Sequence, residues 1–199
     1  MRRLPLAAAL ILVLGLVALV PSQGSGAEGG SADRSGLQEI GVATGYGFSD
    51  RGNVQVVPMF LRFGWFLPDL IDEPLARHGL DLQWMVEPWI AGVTNHQDAI
   101  EVGVHPIVLK LSYDRGQWVV PYLTAGTGVM YTGLQGLQLS GPFEFSSYGG
   151  GGIQFFFNDQ MALNLSYRWR HISNAGIEEP NRGLDTQFVL LGFDYRPKR

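Results

Sequence analysis

From Met161 to Arg170 the chain alternates without a break. Met161, Leu163, Leu165, Tyr167 and Trp169 fall on odd positions, and Ala162, Asn164, Ser166, Arg168 and Arg170 on even ones. Side chains of a strand point alternately to its two faces, so this stretch has one face wholly apolar or aromatic and another small or polar. Such a strand has two homes. In a soluble sandwich the apolar face enters a core; in a small transmembrane barrel it meets lipid and the polar set fills the interior. The second case puts Arg168 and Arg170 inside, where they require acids, and Glu87, Glu101 and Glu144 are candidates.

The rest of the chain repeats the theme less strictly. Strand-like stretches fall at 38–48, 53–66, 80–93, 98–112, 117–131, 143–157, 160–173 and 184–195, separated by turn signals such as Ser49-Asp50-Arg51-Gly52-Asn53, Asp114-Arg115-Gly116 and Asn158-Asp159. The connection from Pro68 to Gly79 is longer and has room for a short helical turn. The 27 glycines, 12% aromatics and only 16% charged residues suit a barrel, whose bends use glycine and whose lipid interfaces use rings. Trp65, Trp84, Trp89, Trp118 and Tyr131 read as interfacial or lipid-facing aromatics. The run Gly149–Gly152 fits no nucleotide-binding pattern and marks a strand bend or a close approach of chains.

The N-terminus supplies the compartment. Arg2 and Arg3 precede a nearly unbroken apolar stretch from Leu4 to Val20, followed by Ser-Gly-Ala at 25–27. This is the pattern of a secretory signal peptide cleaved after Ala27, with 28–37 as a flexible mature N-terminus and 38–199 as the folded domain. An uncleaved anchor is the alternative reading of the same stretch. No later segment is long and apolar enough for a spanning helix, so a membrane form must be a closed barrel, because lipid cannot satisfy open strand edges. The expected fold is therefore all-β: an eight-stranded antiparallel up-and-down barrel of the outer-membrane type. The chain has no cysteine, which excludes disulfides, thiol catalysis and thiolate metal sites. A net charge of −4 gives no electrostatic case for nucleic acid.

With both termini periplasmic, the connection between the seventh and eighth strands lies outside the cell, and there the chemistry gathers. His171 and Ser173 are two apart on a strand, so they share a face with Cα atoms about 6.6 Å apart, close enough for an imidazole to serve as base to a hydroxyl. That face also carries Leu163, Leu165, Tyr167 and Trp169. A histidine and a serine continuing a lipid-facing stripe make sense if the substrate itself sits in the lipid, in the outer leaflet. Asp185 opens the eighth strand and shares parity with Val189, Leu191, Phe193 and Tyr195, so antiparallel pairing can bring it beside His171 to orient the ring. Glu178 and Glu179 remain alternative acids. His78, His96 and His105 show no metal-ligand spacing and read as loop or wall residues.

The string His171-Ile-Ser-Asn-Ala-Gly176, followed by Pro180-Asn-Arg-Gly-Leu-Asp185, resembles the signature of the lipid A 3-O-deacylase (PagL) family; the detailed match spans about 149–195. Two departures stand out: aspartate at 185 where the best-known members carry glutamate, and an end in Tyr195-Arg-Pro-Lys-Arg without a terminal aromatic. The resemblance implies a triad of His171 as base, Ser173 as nucleophile and Asp185 as acid. It also implies an oxyanion site using Asn181, with Asn174 and the amide of Gly176 as helpers. No cofactor or metal is implied. The expected activity is hydrolysis of a fatty-acyl ester, 3-O-linked, of lipid A in the Gram-negative outer membrane. The partners are lipopolysaccharide and membrane lipids, no nucleic acid is expected, and a homodimer is left open. Two rivals carry weight: a non-enzymatic structural or adhesive barrel, and an outer-membrane esterase or phospholipase acting on another lipid.

Overall fold

A computed structural model describes residues 36–137 and 139–198. The expected signal peptide and most of the expected flexible N-terminus lie outside the described residues. The strands are β1 (Glu39–Ser49), β2 (Gln55–Phe66), β3 (Leu80–Thr94), β4 (Ala99–Tyr113), β5 (Val119–Thr132), β6 (Phe143–Phe156), β7 (Met161–Ser173) and β8 (Leu184–Tyr195). Helix α1 (Asp69–Ala76) fills the long connection after β2. Each strand pairs antiparallel with the next, and β8 closes on β1 from Ile40↔Tyr195 to Ser49↔Thr186, giving a closed eight-stranded barrel. Every observed strand end lies within two residues of its expected position.

The two faces of β7 separate as the alternation requires. Met161, Leu165, Tyr167 and Trp169 are exposed on the outside, while Ala162, Asn164, Ser166, Arg168 and Arg170 are buried inside. The same inversion runs around the barrel, with Ile107, Leu123, Val189 and Phe193 exposed outside and Glu39, Arg62, Lys110 and Asp194 buried. An apolar exterior around a charged interior is stable only with lipid as the outer solvent.

The interior is filled rather than open. Near the termini, Lys110 Nζ donates to both oxygens of Glu39 at 2.7 and 2.6 Å, and Arg62 donates to Asp194 at 2.7 Å. Gln154 bridges the two acids. Higher up, Arg168 forms a two-pronged pair with Glu87 at 2.7 and 2.6 Å, and Arg170 donates to Glu101 at 2.8 Å. Two of the three expected acids therefore take the arginines. Glu144 takes neither: it is fully buried and both its oxygens lack a hydrogen-bond partner among the described residues. Towards the 174–183 loop an apolar cluster that includes Val54, Ile172, Leu184, Phe188 and Leu190 packs among these charged groups.

Two local features depart from simple alternation. On β4, pairing with both neighbours skips one extra residue between Val104 and Ile107, a bulge centred on Pro106, which has no N–H to give to a ladder. The parity flip lets His105 and Lys110 both face inward. Trp84, Trp118 and Tyr131 are exposed on the outside as expected, and Trp65 packs half-buried against Trp84 with ring centres 5.3 Å apart. Trp89 overturns the expectation of a lipid-facing ring. It is 4% exposed, shares parity with Gln83, Met85 and Glu87, and lies 5.2 Å below the Arg170 guanidinium. An interior with unneutralised guanidinium faces favours a ring there. In β6, a Cβ on Gly150 or Gly152 would collide with the backbone carbonyls of Tyr167 or Leu165, so the glycine run serves close approach of β6 to β7.

Candidate active site

The outer ends of β7 and β8 bring His171 and Asp185 directly opposite each other in the ladder. Their parity turns both side chains outward, where they are 40% and 37% exposed, and His171 Nδ1 lies 2.7 Å from Asp185 Oδ1. An ionised Asp185 accepts from Nδ1–H, which leaves Nε2 as the acceptor of the ring. Neither loop glutamate reaches the imidazole. The Glu179 carboxylate accepts from the Asn181 amide at 2.9 Å, and Glu178 contributes its backbone carbonyl to Ser140 and Asn174.

Two further groups confine the imidazole. The Trp169 ring stacks near it, with centroids 6.3 Å apart and planes 26° from parallel. Gly183 has φ of +62°, and a Cβ built on it would lie 2.5 Å from His171 Cε1 and 2.9 Å from Nε2. Only glycine both accepts that backbone conformation and lets the loop lie flat against the ring. The contact of Gly183 with the histidine joins two segments of the chain, which no spacing within β7 could reveal.

Ser173 follows on the same outward face, half-buried, opposite Phe145 of β6. Its hydroxyl makes no side-chain hydrogen bond among the described residues, and none joins it to His171; catalytic bonds of this kind often tighten only once substrate is bound. Asn174 points inward and is buried. Its amide nitrogen donates to Ser140 Oγ at 3.0 Å and to the Glu178 carbonyl at 2.8 Å, while its oxygen accepts from the Gly176 amide at 2.9 Å. Asn174 and the Gly176 N–H are thus engaged with the loops and do not face Ser173. Asn181 Oδ1 accepts from the Asn174 backbone amide at 3.2 Å, and no bond from its side-chain nitrogen is formed among the described residues.

A carboxylate, an imidazole and a hydroxyl therefore lie on one outward, lipid-level face, beside a loop that carries a side-chain amide. Among the described residues no three His, Asp or Glu side chains gather in a metal-binding group. His105 instead sits inside the barrel, bonded to Glu87 at 3.2 Å and Ser146 at 3.0 Å.

Relatives give the arrangement its context. The family model for lipid A 3-O-deacylase (PagL) matches residues 61–194, which contain His171, Ser173, Asn181 and Asp185. No curated protein matches the sequence. Among solved structures, the outer membrane enzyme PagL is similar at a TM-score of 0.59 and 17% identity, covering 77% of this chain and 97% of that one. Neisserial surface protein A is similar at 0.52 and 14%, covering 80% and 96%. The two structures share the barrel; the family model, which spans most of the chain, places it further: the chain belongs to the lipid A 3-O-deacylase (PagL) family.

Proposed function

We propose that the protein is an outer-membrane hydrolase that removes the 3-O-linked fatty acyl chain of lipid A from the outer leaflet, using Ser173, His171 and Asp185. The observation that carries this reading is the 2.7 Å contact between His171 Nδ1 and Asp185 on the lipid-facing surface, one pleat repeat from a serine. A carboxylate–imidazole pair in that position has no packing role, because its side chains face away from the interior.

Ser173 Oγ attacks the acyl carbonyl while His171 Nε2 takes its proton. Asp185 holds the ring in the tautomer that accepts at Nε2 and stabilises the imidazolium. The tetrahedral oxyanion is met by the Asn181 side-chain nitrogen, a contribution typically worth about 3 kcal/mol. The imidazolium then gives its proton to the departing sugar oxygen. Water, deprotonated by His171, releases the fatty acid from Ser173. The role of Asn174 and Gly176 in this scheme is to hold the loop that presents Asn181. Residues 1–27 act as a leader that directs the chain to the periplasm and is removed.

Mass spectrometry of lipid A incubated with the purified barrel tests the scheme. The wild type releases one acyl chain, Ser173→Ala releases none, and Asp185→Asn slows release by on the order of 10³-fold or more. Acyl loss that persists in Ser173→Ala would reject the nucleophile. A folded wild type that leaves lipid A intact but cleaves another lipid ester would move the substrate to that lipid.

A further inference from the structure

His171 has a second cross-strand neighbour. On the side away from Asp185 it is paired with Ser147 of β6, and Ser147 is paired in turn with Thr127 of β5. Both side chains are exposed on the outer wall, and their hydroxyls lie 2.9 Å apart. They are set among Leu123, Ala125 and Val129 on β5 and Phe143 and Phe145 on β6, all facing the same way. A carboxylate, an imidazole and two hydroxyls thus form one polar row in register across four strands, on a surface otherwise built for hydrocarbon.

Two hydroxyls bonded to each other are not saturated. Each has one donor and two acceptor positions, so the pair keeps one O–H and several lone pairs unused. At lipid level those groups lack the water that would satisfy them elsewhere, and leaving them idle is costly. Barrel stability gives no reason for them, since an alanine and a valine would serve the exterior better. They have a use if the substrate brings a polar group to that point.

The register says which group. Ser147 is level with His171, one pleat repeat or about 6.6 Å further from the loops than Ser173, and so on the bilayer side of the nucleophile. The sugar lies towards the loops and the acyl chain descends past Trp169, so a group reaching Ser147 belongs to the chain being removed. Ser147 is also the diagonal neighbour of Ser173, roughly 7–8 Å away between Cα atoms. That span is filled by the ester carbonyl on Ser173 and a hydroxyl on the carbon β to it; a hydroxyl far along the chain would lie too deep. Resting on the deacylase reading above, we infer that Ser147 and Thr127 form a specificity subsite that hydrogen-bonds the β-hydroxyl of the scissile acyl chain.

The test compares two substrates: lipid A carrying a 3-hydroxyacyl ester at the cleaved position, and the same molecule with the unhydroxylated acyl chain of equal length. The ratio of their kcat/KM values is measured for wild type, Ser147→Ala, Thr127→Val and the double variant in mixed micelles. Heat-modifiable gel migration checks that each barrel is folded. Wild type should prefer the hydroxylated ester by roughly tenfold, the effect of one to two hydrogen bonds, and the double variant should bring the ratio to about one. Equal turnover of both esters by wild type, or a preference that survives in the folded double variant, overturns the subsite while leaving the deacylase reading intact. Loss of both reactions in folded Ser147→Ala also overturns it, since Ser147 would then belong to the bond-making step. A wild type that cleaves neither ester sinks the deacylase reading itself.

Discussion

Gly183 shows how much of the site depends on a residue that contributes no functional group. A Cβ at this position would fall 2.5 Å from His171 Cε1 and 2.9 Å from Nε2, so any side chain would push into the ring while the backbone resisted at φ +62°. Gly183→Ala is therefore expected to lower kcat by about tenfold or more, since small displacements of a general base are costly, while barrel stability falls only by about 1 kcal/mol for the strained backbone. Steady-state kinetics beside a denaturant titration separates the two, and equal activity would show that the loop yields. At this scale the groups proposed to react are legible in the sequence and their setting is not. His171, Ser173 and Asp185 could be placed on one face from parity alone, because period-two alternation survives intact through β7 and β8. Gly183 and Ser147 owe their positions beside the histidine to the register of other segments, which spacing within one strand does not encode.

Strand limits could be read closely because charged and glycine-rich turns punctuate them; what strands put on each face was read less well. Tryptophan is as compatible with a lipid interface as with a guanidinium face, so composition alone favours an outward Trp89, whereas the parity it shares with Glu87 turns it in. The β4 bulge was equally hidden, since Pro106 interrupts pairing without interrupting the apolar run around it. Between elements, the most consequential link is Asn174, which ties the β7–β8 loop to Ser140 in the β5–β6 loop. Asn174→Ala removes those bonds, leaves their partners unmatched and should cost about 1–3 kcal/mol locally. The expected outcome is faster protease cleavage within 174–183 and a lower kcat, with the β-sheet circular dichroism unchanged. Protection equal to wild type would mean that the loops hold without the clamp.

The barrel formed by the described residues is plugged. Arg168, Glu87, His105 and Ser146 form one connected interior network, with a second around Glu39, Lys110 and Asp194, and an apolar cluster packs among the charged groups towards the loops. Glu87→Ala would strand Arg168 in that interior and should destabilise the barrel by roughly 3–5 kcal/mol. Glu144→Gln, which replaces a buried carboxyl that has no hydrogen-bond partner among the described residues, should leave it as stable or more so. Urea unfolding in lipid vesicles measures both, and a tolerant Glu87→Ala would show that water reaches the network. On the function proposed above, the filled interior leaves the reaction to the outer wall, and the position of His171 there has a kinetic consequence. A substrate embedded in the leaflet reaches Asp185, His171 and Ser173 by lateral diffusion, without leaving the hydrocarbon or passing through a mouth. The variable that sets the rate is then the mole fraction of the lipid in its monolayer: diluting the surface with inert lipid slows turnover, and diluting the suspension does not.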